Sequence, residues 1–151
     1  EILASEKKTK AFIVFSAGFL WGAGPGALVG AIGMGLWTAF NPFGPAAAPV
    51  MLAQVAGAAL SAGVGAAYRR ILGPQAPPRR QAVGLILAAA SCTLLFYLPV
   101  NFVDAYVFQP FWPRFIGGSI WAAVSLVANA VIFPLLFPAT RYLYDRGWAL
   151  Q

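Results

Sequence analysis

Residues 10–41, KAFIVFSAGFLWGAGPGALVGAIGMGLWTAFN, decide how this chain is read. No charge lies between Lys10 and Asn41, and the only strong interruption is the central Trp21-Gly22-Ala23-Gly24-Pro25-Gly26. Proline lacks the backbone N–H and collides with the preceding turn, and each glycine adds chain entropy that a helix must remove. As one straight helix the stretch would run to nearly 50 Å, against a hydrocarbon core of about 30 Å. Divided at the glycines, residues 11–21 make about 16 Å and residues 24–40 about 25 Å. Backbone chemistry therefore favours two short helices joined by a tight turn.

Composition names the solvent. Of 151 residues 60% are hydrophobic and only 9% charged, and the mean hydropathy is +0.75. A soluble domain carries about 25% charged residues, so this chain lacks the polar surface to face water all round and a bilayer is expected. Its length allows four to six helices in one domain, residues 1–151. The net charge of +6 comes from ten Lys and Arg against four Asp and Glu. These cations sit in short patches between apolar runs, as topology determinants do, so no nucleic-acid partner is expected.

Outward from the broken run the pattern repeats. Residues 1–10, EILASEKKTK, are polar, and residues 41–49, NPFGPAAAP, read as an irregular turn. In the next apolar run Ala53, Gly57, Ser61 and Gly65 recur every fourth residue, a packing face that lets another helix approach closely; Gly26 and Gly30 make a similar pair. Residues 69–81, opening RRILGPQAPPRR, read as an arginine-rich loop, and residues 104–114 as an aromatic, proline-rich interfacial connection. The expected fold is an all-α polytopic membrane bundle of five helices, approximately 11–21, 24–40, 46–68, 82–104 and 115–139.

Charge placement pulls the other way on the number of spans. With residues 11–40 as one span, the N-terminal lysines share a side with the loop and tail arginines and only Arg114 lies opposite. With two spans, Lys7, Lys8 and Lys10 join Arg114 outside. Both arrangements put residues 69–81 and the C-terminus in the cytoplasm. The charge rule is a bias and the helix breakers are a local constraint, so five spans are preferred to four.

Catalytic chemistry finds little to work with. The chain has no histidine and a single cysteine, Cys92, which sits in an apolar run. Ser-His-Asp and Cys-His arrangements and histidine zinc motifs are thereby excluded, and no phosphate-binding glycine loop or intramembrane carboxylate pair is present. No enzyme activity, metal site or cofactor is expected. The candidate ligand-binding residues are Trp37, Asn41, Gln54, Tyr97, Asn101 and Asp104, polar or aromatic groups toward the noncytoplasmic helix ends. Amides beside aromatic faces suit a small heterocycle. Each has a plainer alternative: Trp37 and Trp112 as interface anchors, Gln54 in an interhelical hydrogen bond, Asp104 paired with Arg114. For Asn129, near mid-span, a packing hydrogen bond is the expected role.

Phe19-Leu20-Trp21-Gly22-Ala23-Gly24-Pro25 followed by Gly26-Ala27-Leu28-Val29-Gly30 resembles a helix pair in the S components of energy-coupling factor (ECF) vitamin transporters. In that family a short helix ending like LLFGP precedes one starting like GALVG, and the later layout of this chain is similar. The resemblance implies a substrate-capture subunit in a prokaryotic cell membrane, taking up a vitamin or related micronutrient. Its partners would be that ligand, membrane lipid, a transmembrane T component and cytoplasmic ATPase subunits. S components have six helices, the first bearing docking alanines. The expectation here is thus a chain lacking that first helix, with residues 1–10 ending an outer loop that lids the ligand. The rival from another class is a small structural or assembly subunit whose glycine stripes pack partner helices.

Overall fold

The computed structural model describes residues 2–42 and 44–150, with side chains from residue 10 onward. Five helices follow in order: α1 (Ile2–Trp21), α2 (Ala23–Ala39), α3 (Ala48–Ile71), α4 (Pro78–Phe108) and α5 (Phe111–Leu143), closed by a π-helical turn at Tyr144–Trp148. No strand occurs among the described residues. The chain is an all-α bundle.

The turn between α1 and α2 is a single residue. Gly22 sits at φ 90°, ψ 172°, a conformation that residues with a Cβ rarely adopt. Its N–H closes the last bond of α1 on Gly18 O (2.9 Å), and its carbonyl accepts the N–H of Gly26 (3.1 Å). Pro25 lies in the first turn of α2, where backbone N–H groups have no intrahelical acceptor and a missing one is harmless. The two helices then run back along each other. A Cβ on Gly26 would lie 2.6 Å from Gly18 N, and one on Gly30 would meet Val14 Cγ1 at 2.9 Å, two pairs equidistant from Gly22.

Helix α3 is the axis of the bundle, packing on α1, α2 and α4. A Cβ on Gly18 would overlap the Ala62 carbonyl, and one on Gly65 would overlap the Phe15 carbonyl. On another side of α3, a Cβ on Gly57 would come within 2.9 Å of Phe96 Cα. Below these contacts lies an aromatic core. The Phe15 and Phe133 rings are 5.0 Å apart, Phe19 and Phe137 5.4 Å, and Tyr68 sits 5.5–5.6 Å from Phe137 and Phe15.

Alternating helix directions give the bundle two unlike ends. At one end Arg69 donates to the last-turn carbonyls of α1, Phe19 O (3.2 Å) and Leu20 O (3.0 Å), and to Leu150 O (3.2 Å). Carbonyls of a helix's last turn lack intrahelical donors and carry partial negative charge, so a guanidinium suits them twice over. Trp21 Nε1 donates to Trp148 O (2.9 Å) and Arg141 to Gln75 Oε1 (2.7 Å), drawing the tail and the α3–α4 loop to this arginine end. At the other end Lys10 meets Trp37, and Asp104 pairs with Arg114.

The helices are longer than expected from the sequence. Residues 2–10 continue α1 instead of forming part of an outer loop, because Ile2–Lys10 contains good helix formers and neither glycine nor proline. The arginine-rich loop shrinks to residues 72–77, since Pro78 starts α4 at a position where its missing N–H is tolerated. Residues 104–108 are helical and the break falls at Gln109–Pro110.

Among the described residues, three helical stretches are long and apolar enough to cross a membrane: Ala48–Ile71, Pro78–Phe108 and Phe111–Trp148. The 17-residue α2 has no charge and exposes Leu28, Ile32 and Leu36 on one outward face, which lipid would solvate.

Gly63 and Gly65 test the packing by sign. Alanine ordinarily stabilises a helix interior by up to about 1 kcal/mol over glycine. Gly63 has open space where its Cβ would go and Gly65 does not. Gly63→Ala is expected to hold or raise the unfolding temperature in detergent, and Gly65→Ala to lower it; equal shifts would contradict the contact.

Candidate ligand-binding cavity

Between the helices, toward the end opposite Arg69 and Arg141, lies a cavity of about 670 Å3. This is in the size range of small-molecule sites, roughly 300–1,000 Å3. Lys10, Trp37 and Asn41 line its outer part; Thr93, Ser125 and Asn129 line its inner part. The aromatic core separates it from the arginine end: Phe15, Phe19 and Phe133 are wholly buried.

The polar lining is ordered by helix periodicity. Thr93, Tyr97 and Asn101 stand four residues apart on α4, and Ser125 and Asn129 four apart on α5, so each set shares a face. These faces meet. Ser125 Oγ donates to Tyr97 Oη (2.8 Å), and Asn129 Nδ2 donates to Thr93 Oγ1 (2.9 Å). Across the cavity Thr38 Oγ1 donates to Gln54 Oε1 (2.9 Å), linking α2 to α3.

One polar atom stands out. Thr93 Oγ1 gives its own proton to Ala89 O (2.7 Å) and so can only accept from Asn129. That fixes Nδ2 as the amide atom facing Thr93. Asn129 Oδ1 is left buried with no hydrogen-bond partner in the protein, on a residue only 3% exposed. A carbonyl in that position costs about 1–3 kcal/mol unless a donor reaches it.

The outer part carries charge and rings. Lys10 Nζ lies over the Trp37 ring, 3.1 Å from its centroid, where the ring's negative face attracts a cation. Lys10 is the sole ionised side chain among the described lining residues, which include no Asp or Glu. Tyr97 is braced edge-on by Phe96 at 5.3 Å, and the Asn101 amide lies against Gly118, where a Cβ would come within 2.5 Å of Oδ1.

Of the six residues expected at a site, Trp37, Asn41, Gln54, Tyr97 and Asn101 line this one cavity. Asp104 is not among the lining residues and takes up its stated alternative, the pair with Arg114. Its carboxylate is 3.0 Å from Arg114 at the surface, while buried Ala105 takes the inward position on α4. Gln54 also makes the interhelical bond that was its alternative. Trp112 is exposed and stacked edge-on with Phe111 and Phe115 outside the cavity. Reasoning from the helix ends missed Thr93 and Ser125, and gave Asn129 a packing role alone. Their four-residue spacing with Tyr97, Asn101 and each other was the available signal.

No family model, curated protein or solved structure matches this chain.

Cys92 provides a check on the interior. It is fully buried, with Sγ facing Ser61 O at 3.9 Å. A maleimide is expected to label the native wild-type protein negligibly and the denatured protein fully. A cysteine replacing Asn41, which lines the cavity and is partly exposed, should add about one label in the native state. Native labelling of Cys92 would contradict the packing.

Proposed function

We propose that this chain is the substrate-capture subunit of an ECF-type ABC transporter, a multi-pass protein of a prokaryotic cell membrane that binds a vitamin or related micronutrient. The observation that carries the reading is the cavity, with rings and amides from α2, α3, α4 and α5 converging on one hollow. Its form supports capture without chemistry: aromatic faces for a flat molecule, and a few polar groups to orient it. The Gly22 hinge, inside LWGAGP and followed by GALVG, supports the kinship through the helix pair it resembles in S components.

Polarity supports the direction. Arg69, Arg70, Arg79, Arg80, Arg141 and Arg146 lie in or beside the connections at one end, the cavity toward the other. On the positive-inside rule the arginine end is cytoplasmic, and the cavity opens outward. The aromatic core beneath it then bars passage in the free subunit. Release inward requires repacking of the bundle, which in this transporter class is driven by ATP hydrolysis in partner subunits. A T component and two ATPases are the proposed partners; this chain supplies the ligand site.

Native mass spectrometry of gently purified protein, supplied with a mixture of water-soluble vitamins, tests capture. A retained small molecule is expected, and none at all would overturn the reading. Copurification separates it from a structural subunit, since ATPase subunits should come down with an S component. Asp104→Asn, outside the cavity, is expected to leave ligand retention within about twofold of wild type, because exposed ion pairs contribute little.

A further inference from the structure

Asn101 is the polar side chain of the cavity wall that the bundle leaves wholly unused. It is only 8% exposed and lines the cavity, and its amide makes no hydrogen bond with any described residue. Resting on the capture reading, we infer that this amide determines specificity. Its ligand is a planar ring compound that holds an N–H and a hydrogen-bond acceptor side by side, as a lactam or a cyclic urea does.

Helix spacing and a glycine set the amide in place. Asn101 stands one turn beyond Tyr97, on the face of α4 that meets α5. Opposite it on α5 is Gly118, where a Cβ would come within 2.5 Å of Oδ1, 2.6 Å of Cγ and 3.0 Å of Nδ2. The amide thus lies across bare glycine backbone, in space that any side chain at 118 would claim. Both amide atoms keep accessible surface, and the cavity lies before them.

A carboxamide presents a donor and an acceptor together whichever way it is turned, so the pairing does not depend on which atom is oxygen. Its complement is an acceptor and a donor at the same spacing, the match by which asparagine reads a base edge with two bonds. An open-chain secondary amide is trans and points its N–H and C=O to opposite sides. A ring holds the two on one side and meets both halves of Asn101 at once. One turn deeper, Tyr97 Oη accepts from Ser125 and keeps its own proton, which serves a second acceptor on the same ligand.

The experiment uses the full chain in detergent, a mixture of water-soluble vitamins as probe and native mass spectrometry as readout, comparing wild type with Asn101→Leu. The expected retained compound carries an N–H beside an acceptor on a planar ring. Asn101→Leu should retain it at least about tenfold less, because buried polar groups left unpaired are rejected strongly. The same compound methylated at that N–H should bind wild type at least about tenfold more weakly, yet bind Asn101→Leu about as well as the parent does, the non-additivity that marks a direct contact. Should Asn101→Leu fail to fold, the methylated and parent compounds are compared on wild type alone. A retained compound without such an edge, equal binding of the two compounds by wild type, or an equal loss on methylation in wild type and Asn101→Leu would overturn this inference while leaving capture intact. Retention of nothing by wild type would overturn the capture reading, and this inference with it.

Discussion

Backbones in contact hold this molecule together. At Gly18, Gly26 and Gly65 the helices come so close that a single methyl group would occupy space already filled by another main chain or by the Ala62 methyl. In lipid the hydrophobic effect gives no drive for one apolar helix to meet another, and association rests on close van der Waals contact. Glycine supplies that contact by removing the side chain. The Gly22 hinge is part of the same device: it returns α2 alongside α1 with one intervening residue, and both helices then seat on the Ala58–Ala62 surface of α3.

Close contact on one side of α3 leaves room elsewhere. Glycine-mediated approach is concentrated around residues 15–30 and 58–65, at the level of the aromatic core and just above it. Toward the far end of the bundle α2 and α4 carry Trp37, Tyr97 and Asn101, and the space between the helices opens into the cavity. Small residues at one level and large ones at the next turn a uniform bundle into one with a plugged end and a hollow end. Arg69 reinforces the plugged end by gathering the carbonyls of α1 and of the tail.

Much of this was legible in the sequence, for identifiable reasons. The hinge was readable because Gly-Ala-Gly-Pro-Gly in an apolar run has few other uses, and the stripe on α3 because its period is that of a helix face. The cavity was partly readable, since amides and aromatic rings in an apolar chain have few places to go. Helix ends were not. Residues 2–10 look like a loop by polarity yet have strong helix propensity, and Pro78 at the start of α4 extends a helix where it seemed to belong to a loop. Whether Asp104 lines the cavity was not legible, because hydropathy locates a residue along a helix and not around it; one position further on, Ala105 is the buried residue.

The hollow also bears on which class of protein this is. Asn129 gives the bundle a hydrogen bond between α5 and α4 through Thr93, but it also leaves a buried carbonyl unserved, at a cost of about 1–3 kcal/mol that leucine there would not carry. Asn129 holds its Nδ2 on Thr93 and leaves Oδ1 without a protein donor, while Ser125 donates to Tyr97 and Thr38 to Gln54 nearby. An amide bonded on one side and unserved on the other, in the wall of a cavity, is a feature that a bound donor would complete. That asymmetry, more than the size of the cavity, is the physical reason to favour capture over assembly.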